Sequence, residues 1–135
     1  MPYNFEKLEV WSLALEYIDG VYELAAQLPK SEAFNLGSQI TRAATSIALN
    51  IAEGSTGQTR VEYARFVGMA LRSLVETVAC TRLIERRGYV HGTGSLATLE
   101  EKSNRLAAKL QALRRSLAPD KPWAREAADE YTLEP

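Results

Sequence analysis

Soft metal ligands and long apolar runs are nearly missing from this chain of 135 residues. It has one cysteine, Cys80, and one histidine, His91. A single cysteine rules out an intramolecular disulfide and suits a reducing compartment. One Cys and one His cannot by themselves supply a zinc site of the usual ligand count. No Glu-x-x-His pair is present, which excludes the di-metal chemistry of carboxylate bundles. No apolar run approaches the roughly 20 residues that span a bilayer. The opening residues MPYNFEKLEVW lack a signal-peptide core. The expectation is a cytoplasmic protein with no membrane span.

Catalytic patterns are equally scarce. His91 stands alone in the glycine loop GYVHGTG, where a solvated side chain is the ordinary outcome. GSTGQTR, residues 54–60, holds glycines and hydroxyls without the lysine of a phosphate-binding loop, so it is read as a turn before a helix cap. Cys80 falls on the core-side edge of its helix, away from the electropositive setting that a reactive thiol needs. The expectations are no catalytic residue, no cofactor and no metal, hence not an enzyme.

What the chain does have is charge, arranged unevenly. Residues 1–58 carry three Lys/Arg against seven Asp/Glu, residues 59–118 carry eleven against five, and residues 119–135 carry two against five. The net charge of -1 therefore hides a basic middle. That asymmetry fits either an anionic partner or the docking of the acidic part onto the basic part, within or between subunits.

It also has four amphipathic segments with helical periodicity and none with the period-two alternation of a strand. The predicted helices cover about residues 5–28, 31–53, 59–87 and 95–117. In the first, Leu8, Trp11, Leu15, Ile18, Tyr22 and Ala25 share one face, Asn4 is a cap and Pro29 a stop. The second ends at Gly54. The third opens on the capping-box spacing of Thr59 and Glu62 and ends at Gly88. The fourth carries a three-four seam of Leu96, Leu99, Leu106, Leu110, Leu113 and Leu117, with Ser103 its one polar member. Short connections between four long helices predict an all-α, up-down-up-down antiparallel four-helix bundle over residues 1–118. Residues 119–135 form an acidic tail that is expected to be loosely ordered or to dock through Trp123 and Tyr131.

The second helix poses a question of its own. Gln39, Arg42, Ser46, Asn50 and Glu53 step by three and four along it, so they form a polar stripe. The stripe borders the apolar arc of Leu36, Ile40, Ala43, Ala44, Ile47 and Ile51. Polar groups at such a border need partners. Ser73 and Glu76 on the third helix are the candidates, with an Arg42–Glu76 pair expected. The stripe is thus expected to be a structural polar layer that fixes helix register, with a binding pocket as the functional alternative.

The residues that build these helices resemble a known family. The matching elements are Leu8-x-Val10-Trp11, Val21-Tyr22, Leu28-Pro29-x-x-Glu32, Gln39-x-x-Arg42-Ala43, Ser46-Ile47 and Asn50-Ile51-Ala52-Glu53-Gly54. They continue with Tyr63, Phe66, Ala70, Ser73, Glu76 and Gly88-Tyr89, over about residues 5 to 117. This pattern is similar to that of the 23S rRNA intervening-sequence proteins, also called four-helix-bundle proteins. The resemblance implies a left-handed antiparallel bundle that assembles into a ring, a homopentamer. Some members are encoded in insertions within bacterial 23S rRNA genes. The accessory protein of diversity-generating retroelements is similar in fold and is associated with nucleic acid. The family has no established catalytic residues to carry over, and the acidic tail is not part of its pattern.

One surface remains for a partner. Arg82, Arg86 and Arg87 close the third helix, and Lys102, Arg105 and Lys109 step along the fourth, followed by Arg114 and Arg115. Repeated around a ring, such a stripe accumulates weak phosphate contacts. Few aromatics lie nearby, so recognition of backbone and shape is expected. The functional expectation is a non-enzymatic, oligomeric protein that binds RNA or another nucleic acid. The alternative is a scaffold that binds another protein.

Overall fold

The computed structural model describes residues 3–57, 59–90 and 93–118, and every regular element among them is helical. A 3-10 turn at Asn4–Lys7 leads into α1 (Glu9–Ala26). A second 3-10 turn, Lys30–Glu32, precedes α2 (Leu36–Ser55). Then come α3 (Arg60–Arg87) and α4 (Thr93–Leu117). His91 and residues 119–135, with Trp123 and Tyr131, lie outside the described residues.

The first two helices start later than their periodicity predicts. At the N-terminus the Tyr3 N–H donates to Glu6 Oε1 at 3.3 Å, and residues 4–7 wind into the tighter 3-10 form. Asn4 therefore sits inside a 3-10 turn and does not cap α1. Between α1 and α2, Pro29 opens a turn whose Glu32 is buried, and that turn consumes residues expected in α2. The ends of α3 match their local chemistry. Thr59 Oγ1 accepts the Glu62 N–H at 3.0 Å, which satisfies one of the free amides of the first turn. Gly88 takes a positive φ of 71°, and the Tyr89 N–H reaches back to the Ile84 carbonyl. Only a residue without Cβ adopts that left-handed cap freely.

Neighbouring helices meet at pairs whose order reverses. Glu9 pairs with Lys109, while Gly20 lies against Leu99. Arg60 bonds the Ser116 carbonyl, and Arg82 pairs with Glu100. Ser46 meets Ser73, and Gly54 lies against Phe66 and Tyr63. So α1 with α4, α3 with α4, and α2 with α3 each run in opposite directions. The core between them holds Tyr17, Leu24, Ile40, Ile47, Ile51, Leu71, Leu74, Ile84, Leu106 and Leu110, all fully buried. Each such aliphatic side chain contributes about 1.5–3 kcal/mol on removal from water. Helix α3 buries Val67, Ala70, Leu71, Leu74 and Ile84, and helices α2 and α4 bury the faces that their periodicity predicts.

Helix α1 does not. Its buried residues are Val10, Leu13, Ala14, Tyr17, Val21 and Leu24. The stripe predicted from the sequence, Leu8, Trp11, Leu15, Ile18, Tyr22 and Ala25, is displaced by one residue and lies only partly covered. Leu15 is 42% exposed and Tyr22 is 52% exposed. α1 thus has two apolar stripes of equal period about 100° apart. Periodicity alone cannot rank them. The bundle takes the one that carries Tyr17 and Val21.

Candidate nucleic-acid interface

The polar stripe of α2 contracts to a small layer. Ser46 Oγ lies 2.9 Å from Ser73 Oγ across the α2–α3 seam. Asn50 Nδ2 donates to the Ser46 carbonyl at 2.9 Å and to Ser46 Oγ at 3.1 Å. Asn50 is buried, and its bonds stay on its own helix, not on a neighbour. The rest of the stripe faces water. Gln39, Arg42 and Glu53 are exposed, as is Glu76 on α3. Arg42 donates to Ser38 Oγ at 2.9 Å, one turn back, and the expected Arg42–Glu76 pair is not made. The reason is angular. The stripe spans roughly 80° at about 100° per residue, so Asn50 reaches the core while Arg42, at the far edge, cannot.

A second set of contacts gathers at the end of the bundle where α1 passes to α2 and α3 passes to α4. The Tyr89 hydroxyl donates to Glu32 Oε2 at 2.6 Å, and Asn35 Nδ2 donates to Glu32 Oε1 at 2.9 Å. These bonds, Tyr89 first, hold the Glu32 carboxyl below its ordinary pKa, and the same bond pushes the Tyr89 phenol up. Sequence reasoning singled out Glu32 and Tyr89 as separate motif elements and missed that they join two connections 57 residues apart. No local signal links them.

The eight basic residues expected on one surface divide among several environments. Arg82 is engaged with Glu100 through two bonds of 2.8 and 2.9 Å, and that pairing raises the Arg82 pKa and lowers the Glu100 pKa. Lys109 pairs with Glu9 at 3.1 Å. Lys102 and Arg105 line the groove between α1 and α4, where Glu16 faces them. The acidic α1 and the basic α4 therefore dock on each other, as one of the two readings of the charge asymmetry required. Arg114 is a correction. It is 8% exposed, and its guanidinium packs across Gly68 of α3 at about 3.5 Å from where a Cβ would stand. The chain turns that arginine inward because its position continues the Ala107–Gln111 side of α4. Arg86, Arg87, Arg105 and Arg115 are exposed.

Two arginines that sequence reasoning passed over complete the picture. Arg65 and Arg72 are exposed on the outer face of α3. Arg65, Arg72 and Arg86 are spaced by seven and fourteen residues, which places them within about 60° of helix surface. Along the axis that is roughly 10 Å and 21 Å. Arg65 lies 5.1 Å from the centre of the Phe66 ring, a cation–π geometry that orients its guanidinium. The seven-residue spacing opposite the core face was a signal available in the sequence.

Cys80 is buried, and burial pushes its thiol pKa up, away from reactivity. Among the described residues no group of His, Cys, Asp and Glu could hold a metal ion, and no helix is long and apolar enough to cross a membrane.

Four packed helices, a polar rivet between two of them and arginines along an outer face define an all-helical module. The chain belongs to the 23S rRNA-intervening sequence protein family, whose family profile matches residues 6–112. Its fold is similar to a crystal structure of a protein of unknown function from the S23 ribosomal protein family of Bacteroides thetaiotaomicron. The two share 24% identity with a TM-score of 0.71, over 78% of this chain and 97% of that one. No functionally curated protein matches this chain.

Proposed function

We propose that this chain is a non-enzymatic, self-assembling four-helix protein of the cytoplasm that holds RNA or another nucleic acid by its phosphate backbone. The observation that carries this reading is the row of arginines Arg65, Arg72 and Arg86 on the exposed face of α3, with Arg87 beside its end. The basic residues of α4 contribute less, since Lys109 is engaged by Glu9 and Lys102 and Arg105 stand opposite Glu16. Phosphate contacts of this kind position a nucleic acid without reading its sequence.

Self-assembly is supported by the second apolar stripe of α1. Trp11, Leu15, Ile18 and Tyr22 form a ridge, extended by Leu49 of α2, which is 58% exposed. The Phe5 ring packs edge-on against Trp11 at 4.6 Å and lengthens the ridge. The proposed assembly is a ring of left-handed bundles, a homopentamer, in which the arginine row repeats once per subunit and weak contacts add. The same ridge supports the second reading, a scaffold that binds another protein.

The test is a titration against structured RNA and duplex DNA at low and moderate salt. Tight binding that falls steeply with salt is expected. The triple change Arg65→Glu, Arg72→Glu, Arg86→Glu abolishes it, whereas Lys102→Glu, Arg105→Glu, Lys109→Glu weakens it less. No binding by the parent protein at low salt overturns the nucleic-acid reading and leaves the scaffold.

A further inference from the structure

A groove of about 530 Å³ runs between α3 and α4. Val75 and Val78 wall it on α3, Ala107 and Ala108 on α4, and the Arg82–Glu100 ion pair stands at one end. Val75 is 43% exposed there. Small side chains on α4 leave apolar surface open that a leucine seam would have filled. A groove with apolar walls and a polar end suits an apolar side chain with a polar handle.

The course of α4 points to one. Glu100, Asn104, Ala107, Gln111, Arg114 and Ala118 follow one another by steps of four and three, so they share one side of the helix. The groove lies on that side, and the chain leaves the helix there, at Ala118, which is buried. We propose that this groove is the docking site of the chain's own residues 119–135, seated by Trp123.

Reach permits it. Gln111 lies seven helical residues before Ala118, about 10 Å along the axis. The five residues from Ala118 to Trp123 span up to about 16 Å when extended. Trp123 therefore reaches the mouth of the groove without strain. Pro119 and Pro122 are residues that disfavour continuation of a helix. Beyond Trp123, Ala127 and Tyr131 recur at steps of four, which supplies further apolar contacts. Charge agrees as well. The segment carries five Asp/Glu against two Lys/Arg, while Arg72 and Arg86 of α3 and Arg115 of α4 are exposed on the basic half. A short tether raises the local concentration of the segment to the order of millimolar, so even weak docking in cis is populated.

Docking in cis also sets a regulatory consequence, which rests on the nucleic-acid reading: the acidic segment covers arginines that phosphate would use. The docking itself stands apart from that reading and is tested without nucleic acid. The full chain carrying Trp11→Phe has Trp123 as its only tryptophan. Its emission and its quenching by acrylamide are measured beside the same protein with Ala108→Glu, a change at an exposed groove position, with circular dichroism recorded on both to compare their helix content. A blue-shifted Trp123, quenched several-fold more slowly than in the Ala108→Glu protein and independent of dilution, is the expected result. Equal quenching in the two proteins overturns the proposal. Protection that fades on dilution also overturns it, because the occupant is then another copy. Salt-sensitive RNA binding that fails while Trp123 stays protected defeats the nucleic-acid reading alone.

Discussion

Helix α3 meets its two neighbours in opposite ways. Against α2 it is close. A Cβ at Gly54 would stand 2.8 Å from Phe66 Cβ and 3.2 Å from Tyr63 Cδ1, so the two backbones approach as far as a missing side chain allows. Alanines 43, 44 and 48 are buried along the same helix, and the Ser46–Ser73 bond pins the seam. Against α4 the spacing is looser. Gly68 is also small, but the guanidinium of Arg114 fills its place, and the groove opens between the alanines of α4 and the valines of α3. A small residue therefore brings two helices close only where no long side chain is interposed. The tight seam holds the bundle together, and the open one is the proposed seat of residues 119–135.

The contrast breaks most easily at Gly54. Gly54→Leu forces side-chain atoms into Phe66 and Tyr63 and is expected to cost about 3 kcal/mol by overpacking, read as a large fall in melting temperature. Ala108→Leu adds similar bulk on the α4 side, where it meets open groove, and should change stability by no more than about 0.5 kcal/mol. Equal losses from both changes mean that the two seams are packed alike.

The next largest effect lies in the rivet itself. Ser73→Ala leaves Ser46 without its cross-helix partner and is expected to cost about 1 kcal/mol in urea unfolding. Ser46→Ala should cost somewhat more, since it also removes the Asn50 bond to Ser46 Oγ, and the double change should cost clearly less than the sum, because both single changes break the Ser46–Ser73 bond. Additive losses would show that Ser46 and Ser73 act independently.

Those two seams were legible in the sequence to different degrees. The helices, their order and the buried faces of α2 and α4 follow from period and caps, since Ile40, Ile47, Leu106 and Leu110 recur at helical spacing on one face. α1 was misread because Leu8, Trp11, Leu15, Ile18 and Tyr22 make as good a stripe as the buried one, and only the neighbouring helices choose between them. The polar layer was half legible. Ser46, Asn50 and Ser73 follow from their nearness to the apolar arc, whereas Arg42 was assigned a partner that lies beyond its reach. On the basic surface, Arg114 turned inward because Gly68 makes room across the seam, a fact that belongs to a different helix. Arg65 and Arg72 were visible as an outward repeat and were overlooked in favour of clustered charge.

A smaller effect sits at the end of the bundle, away from both seams, and it depends on pH. The bonds from Tyr89 and Asn35 lower the folded-state pKa of Glu32 below its unfolded value. A lowered carboxyl pKa contributes stability above the unfolded pKa, and that contribution is lost as pH falls through the folded one. Tyr89→Phe and Glu32→Gln should each lower the melting temperature by a few degrees at neutral pH. The difference from the parent should shrink as pH falls below the ordinary carboxylate range and the Glu32 carboxyl takes up its proton. A difference that persists unchanged into acid would mean that Glu32 acts by shape and not by charge.

The smallest effect is expected at Arg42, and it sharpens the comparison by separating a stripe in sequence from a seam in space. Arg42 belongs to the same polar run as Ser46 and Asn50, yet it is exposed and its donor contact is Ser38, one turn away on its own helix. Such a bond exchanges readily with water and ties no second helix. Arg42→Ala is therefore expected to shift stability by less than about 0.5 kcal/mol, within the range of ordinary surface changes. Placed beside Ser73→Ala in the same urea series, it measures how far the locking role extends across the stripe. A loss at Arg42 as large as at Ser73 would mean that the guanidinium crosses the α2–α3 seam after all, and the polar layer would then be five residues deep instead of three.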